Sequence, residues 1–357
     1  MSDAREPGGR RRLPRWWPAA ALIGILIFLS FYATDRGVLL SVLIVACIWA
    51  IAGLGWNVLA GFTGQLSFGH AAFFGTGAYT MALLTTKAGV SPWIGLVAGG
   101  VAGSLLAVLV GVPTFRLRGP YFALATLALA EALRRLVAWR VDFTGGNDGI
   151  ILPIDTGLEA MFFEQNRPFA WLAIAFFVLA WGVTAWVRNS RLGYFMRAVR
   201  DDQDAAAAAG LNPLSIKLRA TVVSAFITAV AGGLLARYLS GVAPDDYLGV
   251  YVSVQLLIFT FVGGIGTLSG PVVGAFLVVP LQHYLQITSG SQVSAQLAEV
   301  FFGAVLVAII LFYPKGIVPG VARLWQKLTG GSDERKPDEA RPAAQPREED
   351  EWRVPVR

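Results

Sequence analysis

Apolar residues arrive along most of this chain in long uninterrupted runs, and polar residues are confined to the gaps between them. A helix needs about 17–25 such residues to cross the hydrocarbon core of a bilayer. Runs at 18–34, 38–60, 71–86, 92–112, 120–138, 168–187, 218–239, 250–264, 271–287 and 296–313 are accordingly predicted as ten membrane helices. The pattern predicts an all-α polytopic membrane domain over residues 18–316, with a basic arm at 1–17 and a tail at 317–357. From about residue 329 the tail mixes charge with Pro and Gly and has too little apolar surface to fold, so it is expected to be disordered.

One stretch departs from this pattern. Residues 53–80, GLGWNVLAGFTGQLSFGHAAFFGTGAYT, hold seven glycines and several uncharged polar side chains between two apolar runs. Unpaired peptide groups are costly in hydrocarbon, so irregular backbone at membrane depth is confined to protein-buried or water-lined places. The stretch is therefore read as a broken or re-entrant segment along a solute pathway, with close helix packing at glycine as the alternative. Asn57, Gly64, Gln65, Ser67, Gly69 and His70 are its candidate pathway residues. In contrast, Gly95, Gly99, Gly103, Ala107 and Gly111 recur every four residues along the fourth run. That stripe carries no recognising side chain and predicts a close helix contact.

Composition agrees with a membrane domain: 55% of the 357 residues are hydrophobic, only 15% are charged, and the mean hydropathy is +0.59. The net charge of +6 is distributed by topology and carries no nucleic-acid signature. Arg10, Arg11, Arg12 and Arg15 precede the first run, Arg116 and Arg118 lie between the fourth and fifth, and Arg188, Arg191, Arg197 and Arg200 follow the sixth. With ten crossings and the N-terminus inside, all three groups fall on the cytoplasmic side, while Asp35, Asp245 and Asp246 fall outside. Both termini are then cytoplasmic. The single cysteine, Cys47, lies within an apolar run and excludes a disulfide framework or a cysteine metal site. With His70 and His283 the only histidines and no G-x-S-x-G or H-E-x-x-H motif, no catalytic centre, metal or cofactor is expected.

The most informative polar segment is 188–215, RNSRLGYFMRAVRDDQDAAAAAGLNPLS. From about Met196 to Ala209 it predicts one helix, stopped by Gly210, Asn212 and Pro213. It resembles the coupling segment of ABC importer permeases, a pattern fitted by Gly193, Ala198, Asp201, Asp202, Ala205, Ala206 and Gly210, with Arg197 beside them. Asp204 before the alanines departs from the stricter Glu-Ala-Ala form of that pattern.

Three further blocks narrow the resemblance. They are NVLAGFTGQLSFGHAAFFGTGAY from Asn57, LRGPYFALATLALAEALRRL from Leu117 with FTGGNDGI from Phe143, and FVGGIGTLSGPVVGAF from Phe261. In this order, across roughly residues 37–316, the blocks resemble the permease subunits of branched-chain amino acid importers, the LivM-like branch. The resemblance implies a bacterial inner-membrane subunit working with a second related permease, two cytoplasmic ATPases and an extracytoplasmic solute-binding protein. No G-x-x-x-x-G-K-[ST] loop occurs in the chain, in keeping with ATP hydrolysis in a different subunit.

A branched-chain amino acid needs dipoles for its charged ends and an apolar surface for its side chain, and broken-helix termini supply dipoles without a buried formal charge. Gly64, Gln65, Ser67 and Gly69 suit the first need, and Phe62, Phe68, Phe73 and Phe74 the second. Glu131, well inside the fifth run, is read either as a pathway residue or as the partner of Arg134 and Arg135, three and four residues on. Thr144, Gly145, Gly146, Asn147 and Asp148 form a turn-rich outer segment, either a contact for the binding protein or a solvated loop. Urea, short amides or other amino acids remain alternative solutes, and an ion-coupled secondary transporter is the rival class.

Overall fold

The computed structural model describes residues 37–117 and 119–288, together with Gly24 and Gly303. The predicted spans 18–34 and 296–313, the basic arm and the tail lie outside the described residues. Within them the chain is helical almost throughout: α1 (Val38–Thr63), α2 (His70–Ala88), α3 (Pro92–Thr114), α4 (Pro120–Trp139), α5 (Val141–Thr144), α6 (Asn166–Asn189), α7 (Arg191–Asp201), α8 (Gln203–Ala208), α9 (Pro213–Leu239), α10 (Pro244–Leu248), α11 (Val250–Gly263) and α12 (Gly270–Thr288). Two dipeptide strands, β1 (Ile150–Ile151) and β2 (Gly241–Val242), pair antiparallel with Ile150 opposite Val242. Among the described residues, five segments have the length and hydropathy to cross a membrane: α1, α3, α6, α9 and the α10–α11 run Pro244–Gly263.

The long helices form a bundle around α9, which packs against α1, α2 and α3. Small residues explain the central position of α9. A Cβ on Gly77 of α2 would strike the Ala229 carbonyl, and one on Gly232 of α9 would strike the Phe74 carbonyl. The backbones of α2 and α9 are therefore in contact, the geometry that small residues permit between membrane helices. The stripe of α3 packs as expected, with Gly99 against the Gly77 carbonyl, Gly103 against Ala229 and Ala107 fully buried. Away from α9, Trp49 stacks on Phe74 at 5.4 Å and meets Phe259 edge-on, joining α1, α2 and α11.

One end of the bundle carries the turns 64–69 and 264–269 and the segment 190–212; the opposite end carries 139–165 and 240–249. Arg237, 1% exposed, closes the opposite end by donating from Nε to the Ala160 carbonyl (2.7 Å) and from NH1 to the Pro153 carbonyl (3.0 Å). Its guanidinium also lies 5.0 Å from the centre of the Phe162 ring. A charge this deep is tolerated because hydrogen bonds and an aromatic face replace its water.

Segment 188–215 differs from the single helix expected over 196–209. It forms two helices, α7 and α8, separated at Asp202, whose backbone is extended (φ −155°, ψ 113°). The Asp202 carboxylate accepts from the N–H groups of Asp204 and Ala205, both at 2.9 Å, so the residue starts a new helix and does not continue the old one. Aspartate satisfies two orphan donors at an N-cap and has low propensity inside a helix, which outweighs the alanine run that follows.

Candidate translocation pathway and coupling surface

The glycine-rich stretch resolves into helix, turn and helix. Gly53, Gly55, Asn57 and Gly61 are ordinary residues of α1, and the irregular backbone is limited to Gly64–Gly69. Gly64 ends α1 in the left-handed region (φ 73°), where a side chain would be strained. Trp56 Nε1 donates to the Ser67 carbonyl (2.9 Å), and the Phe68 N–H donates to Thr126 Oγ1 of α4 (3.2 Å). Ser67 Oγ accepts from the Gly69 N–H (3.2 Å). The turn is thus fastened to α1 and α4 on both sides.

Just beyond the turn, His70 is fully buried at the start of α2, with Nε2 2.8 Å from Ser224 Oγ of α9. Ser224 donates its one proton to the Gly55 carbonyl at 2.6 Å, so His70 Nε2 is the donor of the pair. His70 Nδ1 is buried and has no hydrogen-bond partner. Among the described residues no group of three or more His, Cys, Asp or Glu side chains is placed to hold a metal.

Asn57 provides the contact that the sequence did not announce. Its Nδ2 donates to the Thr267 carbonyl (2.8 Å) and its Oδ1 accepts from the Gly266 N–H (2.9 Å), so one fully buried amide ties α1 to the turn between α11 and α12. A Cβ on Gly61 would displace this amide, which accounts for the glycine one turn along. On the same end Arg200 of α7 donates from NH1 to the Gly61 carbonyl at 3.1 Å, while its other nitrogens hold Asp201. Segment 190–212 is therefore bonded to α1 within one turn of the residue that grips the 264–269 turn.

The other residues singled out in segment 188–215 divide by exposure. Gly193, Met196 and Val199 bury the inner face of α7, and a Cβ on Gly193 would meet the Val187 carbonyl. Ala206 packs inward with them, in a cluster that includes Val58, Leu59 and Phe62 of α1. Asp201, Asp202, Ala205 and Gly210 are exposed, Ala198 and Arg197 are half-buried, and Arg197 NH1 donates to the Arg188 carbonyl at 2.9 Å. The outer face of α8 is thus made of alanine methyls flanked by carboxylates.

Of the predicted pathway set, Asn57, Ser67, Gly69 and His70 come together with buried environments, Gln65 is half-exposed and Gly64 is exposed. Glu131 stands apart. Its carboxylate accepts two bonds from Arg134 and one from Arg135, each at 2.8 Å, and Arg134 continues to Asp245 of α10. Thr144 is buried and shares its one hydroxyl proton between the Val137 and Arg140 carbonyls, Gly145 and Gly146 adopt left-handed φ of 76° and 60°, and Asn147 and Asp148 are exposed. Thr126, Ser224 and Ser253, whose Oγ accepts from the Ala71 N–H (2.9 Å), were not singled out from the sequence. Their only sequence signal is a polar residue within an apolar run.

Across residues 38–310 the chain matches the family described as branched-chain amino acid transport system / permease component. It is 29% identical over 307 residues to the High-affinity branched-chain amino acid transport system permease protein LivM of Salmonella typhimurium, covering 80% of this chain and 70% of that protein. It is 24% identical over 287 residues to the permease protein LivH of Escherichia coli strain K12, covering 76% of this chain and 91% of that protein. It is also 24% identical over 325 residues to the Probable branched-chain amino acid transport permease protein LivM of Methanocaldococcus jannaschii, covering 85% of this chain and 91% of the relative. No solved structure matches it. Because the family match takes in every helix from α1 to α12, the chain belongs to the permease components of branched-chain amino acid transport systems.

Proposed function

We propose that this protein is the membrane permease subunit of an ATP-driven importer that translocates leucine, isoleucine or valine delivered by an extracytoplasmic solute-binding protein. It would work with a second related permease and two cytoplasmic ATPases in the bacterial inner membrane. Ten spans, with both termini cytoplasmic, put the arginine-rich α7 end of the bundle inside, as the positive-inside rule favours. The direction of each described long helix fits that count, since the turns 64–69 and 264–269 share one end and the loops 139–165 and 240–249 the other.

The observation that carries the reading is the bonded route from α8 into the bundle. The exposed alanine face of α8 offers an ATPase a shallow, side-chain-poor docking surface. Arg200 links the adjoining α7 to the Gly61 carbonyl, and Asn57 links α1 to the Gly266–Thr267 turn. Displacement of α7–α8 by ATPase closure is transmitted to both turns together, and Gly64, Gln65, Ser67, Gly69 and His70 form the inner side of the pathway those turns gate. Glu131, through Arg134 and Asp245, ties α4 to α10 on the outer side, beside Thr144–Asp148 where the binding protein would dock.

Reconstitution tests this directly. The complete importer in proteoliposomes, supplied with ATP and binding protein, is expected to accumulate labelled leucine, and the chain alone is expected not to do so under a proton or sodium gradient. Ion-driven uptake by the chain alone defeats the proposal. Uptake of urea or short amides in place of leucine retains the mechanism and changes the solute.

A further inference from the structure

A cavity of about 610 Å³ lies at the end of the bundle opposite α7, between α1, α9, α10, α11 and α12. Its size falls within the about 300–1,000 Å³ typical of small-molecule sites. Trp49, Val45 and Val279 form apolar wall, while Gln255, Gln282, His283 and Asp246 contribute polar groups. That many polar side chains would be costly against lipid, so the lining describes a wet chamber.

Two of its groups are unsatisfied, and they are complementary in kind. Gln255 is 5% exposed; its Nε2 donates to Tyr251 Oη at 2.8 Å, and its Oε1 is buried with no hydrogen-bond partner. Tyr247, 2% exposed, stacks on Phe74, and its buried hydroxyl has no hydrogen-bond partner either. Buried polar atoms are almost always paired, and an orphan calls for a ligand or water. Here one orphan is an acceptor and the other can donate, while the lining carries one carboxylate, Asp246, and no Lys or Arg.

We propose that this cavity is where the solute is recognised on its way through the subunit, and that its ligand class is a zwitterionic amino acid with an apolar side chain. Gln255 Oε1, with Asp246 at the exposed rim, receives the ammonium group; the Tyr247 hydroxyl donates to the carboxylate; Trp49 and Val45 cover the side chain. Trp49 also packs on Phe74 and Phe259, so the wall that senses the side chain is continuous with the α1–α2–α11 core. This inference rests on the importer reading above.

The test uses the complete reconstituted importer. Gln255→Leu is expected to lower leucine uptake about ten-fold or more, the loss of one hydrogen bond to a charged group, while Gln255→Glu, which keeps an acceptor, retains it. In a second measurement Gln255→Cys is made on a Cys47→Ser background, Cys47 being the sole cysteine and fully buried. A water-soluble thiol reagent added from the binding-protein side is expected to label it, and leucine to slow the labelling. If wild-type importer takes up leucine and Gln255→Leu matches it, or if leucine leaves labelling unchanged, the cavity is not the recognition site and the importer reading stands. If wild type transports no amino acid, the importer reading itself fails and this inference falls with it.

Discussion

Replacing Asn57 by alanine removes the one side chain that bonds α1 to the 264–269 turn. Two bonds are lost, Nδ2 to the Thr267 carbonyl at 2.8 Å and the Gly266 N–H to Oδ1 at 2.9 Å. A backbone group left without a partner costs about 1–3 kcal/mol, the upper figure applying where water cannot enter. Gly266 and Thr267 are half-buried, so the expected destabilisation is about 2–4 kcal/mol for the pair. The assay is thermal unfolding of the purified importer in detergent, run beside ATP hydrolysis and leucine uptake in proteoliposomes. Because Arg200 reaches α1 through the Gly61 carbonyl, one turn from Asn57, Arg200→Ala and Asn57→Ala are expected to be non-additive in uptake per ATP. Wild-type stability in Asn57→Ala, or strict additivity of the two substitutions in coupling, refutes the bonded route from α7 to the turns.

Gly77→Val forces α2 from the Ala229 carbonyl and is expected to destabilise by about 3 kcal/mol or more, seen as loss of assembled importer by size-exclusion chromatography. Gly182→Ala, whose Cβ meets nothing within 4 Å, is the matched control and is expected to assemble normally. Asp202→Ala removes the cap of α8 at a cost of about 1 kcal/mol, readable as faster hydrogen exchange at Asp204 and Ala205, and Asp202→Asn is expected to restore protection. Arg237→Met leaves the Ala160 and Pro153 carbonyls without their donor and is expected to make residues 150–162 sensitive to limited proteolysis, with export and assembly checked by yield.

The helices were legible because a bilayer requires long apolar runs: eight of the ten predicted spans coincide with helices of the described residues to within a few positions, and five segments there have the length and hydropathy to cross a membrane. The packing stripe of α3 was legible for a similar reason: a four-residue glycine spacing has one geometric meaning on a helix. The break at Asp202 was present in the residues as an aspartate ahead of Gln203 and Asp204, yet the alanine run concealed it by its higher helix propensity. Nothing along the chain distinguished Gly55 and Gly77, which bring helices together, from Gly64, which ends one.

Local chemistry therefore determined the class and the helices, since hydropathy and helix periodicity act over a few turns of a single chain. Pairing was another matter. That Asn57 meets residues 266 and 267, that Ser224 meets His70, and that Trp49 and Gln255 line one cavity depend on contacts between residues 154–210 positions apart. Such contacts arise only when the bundle closes, because a polar side chain in an apolar helix must find its partner on whichever helix packs beside it.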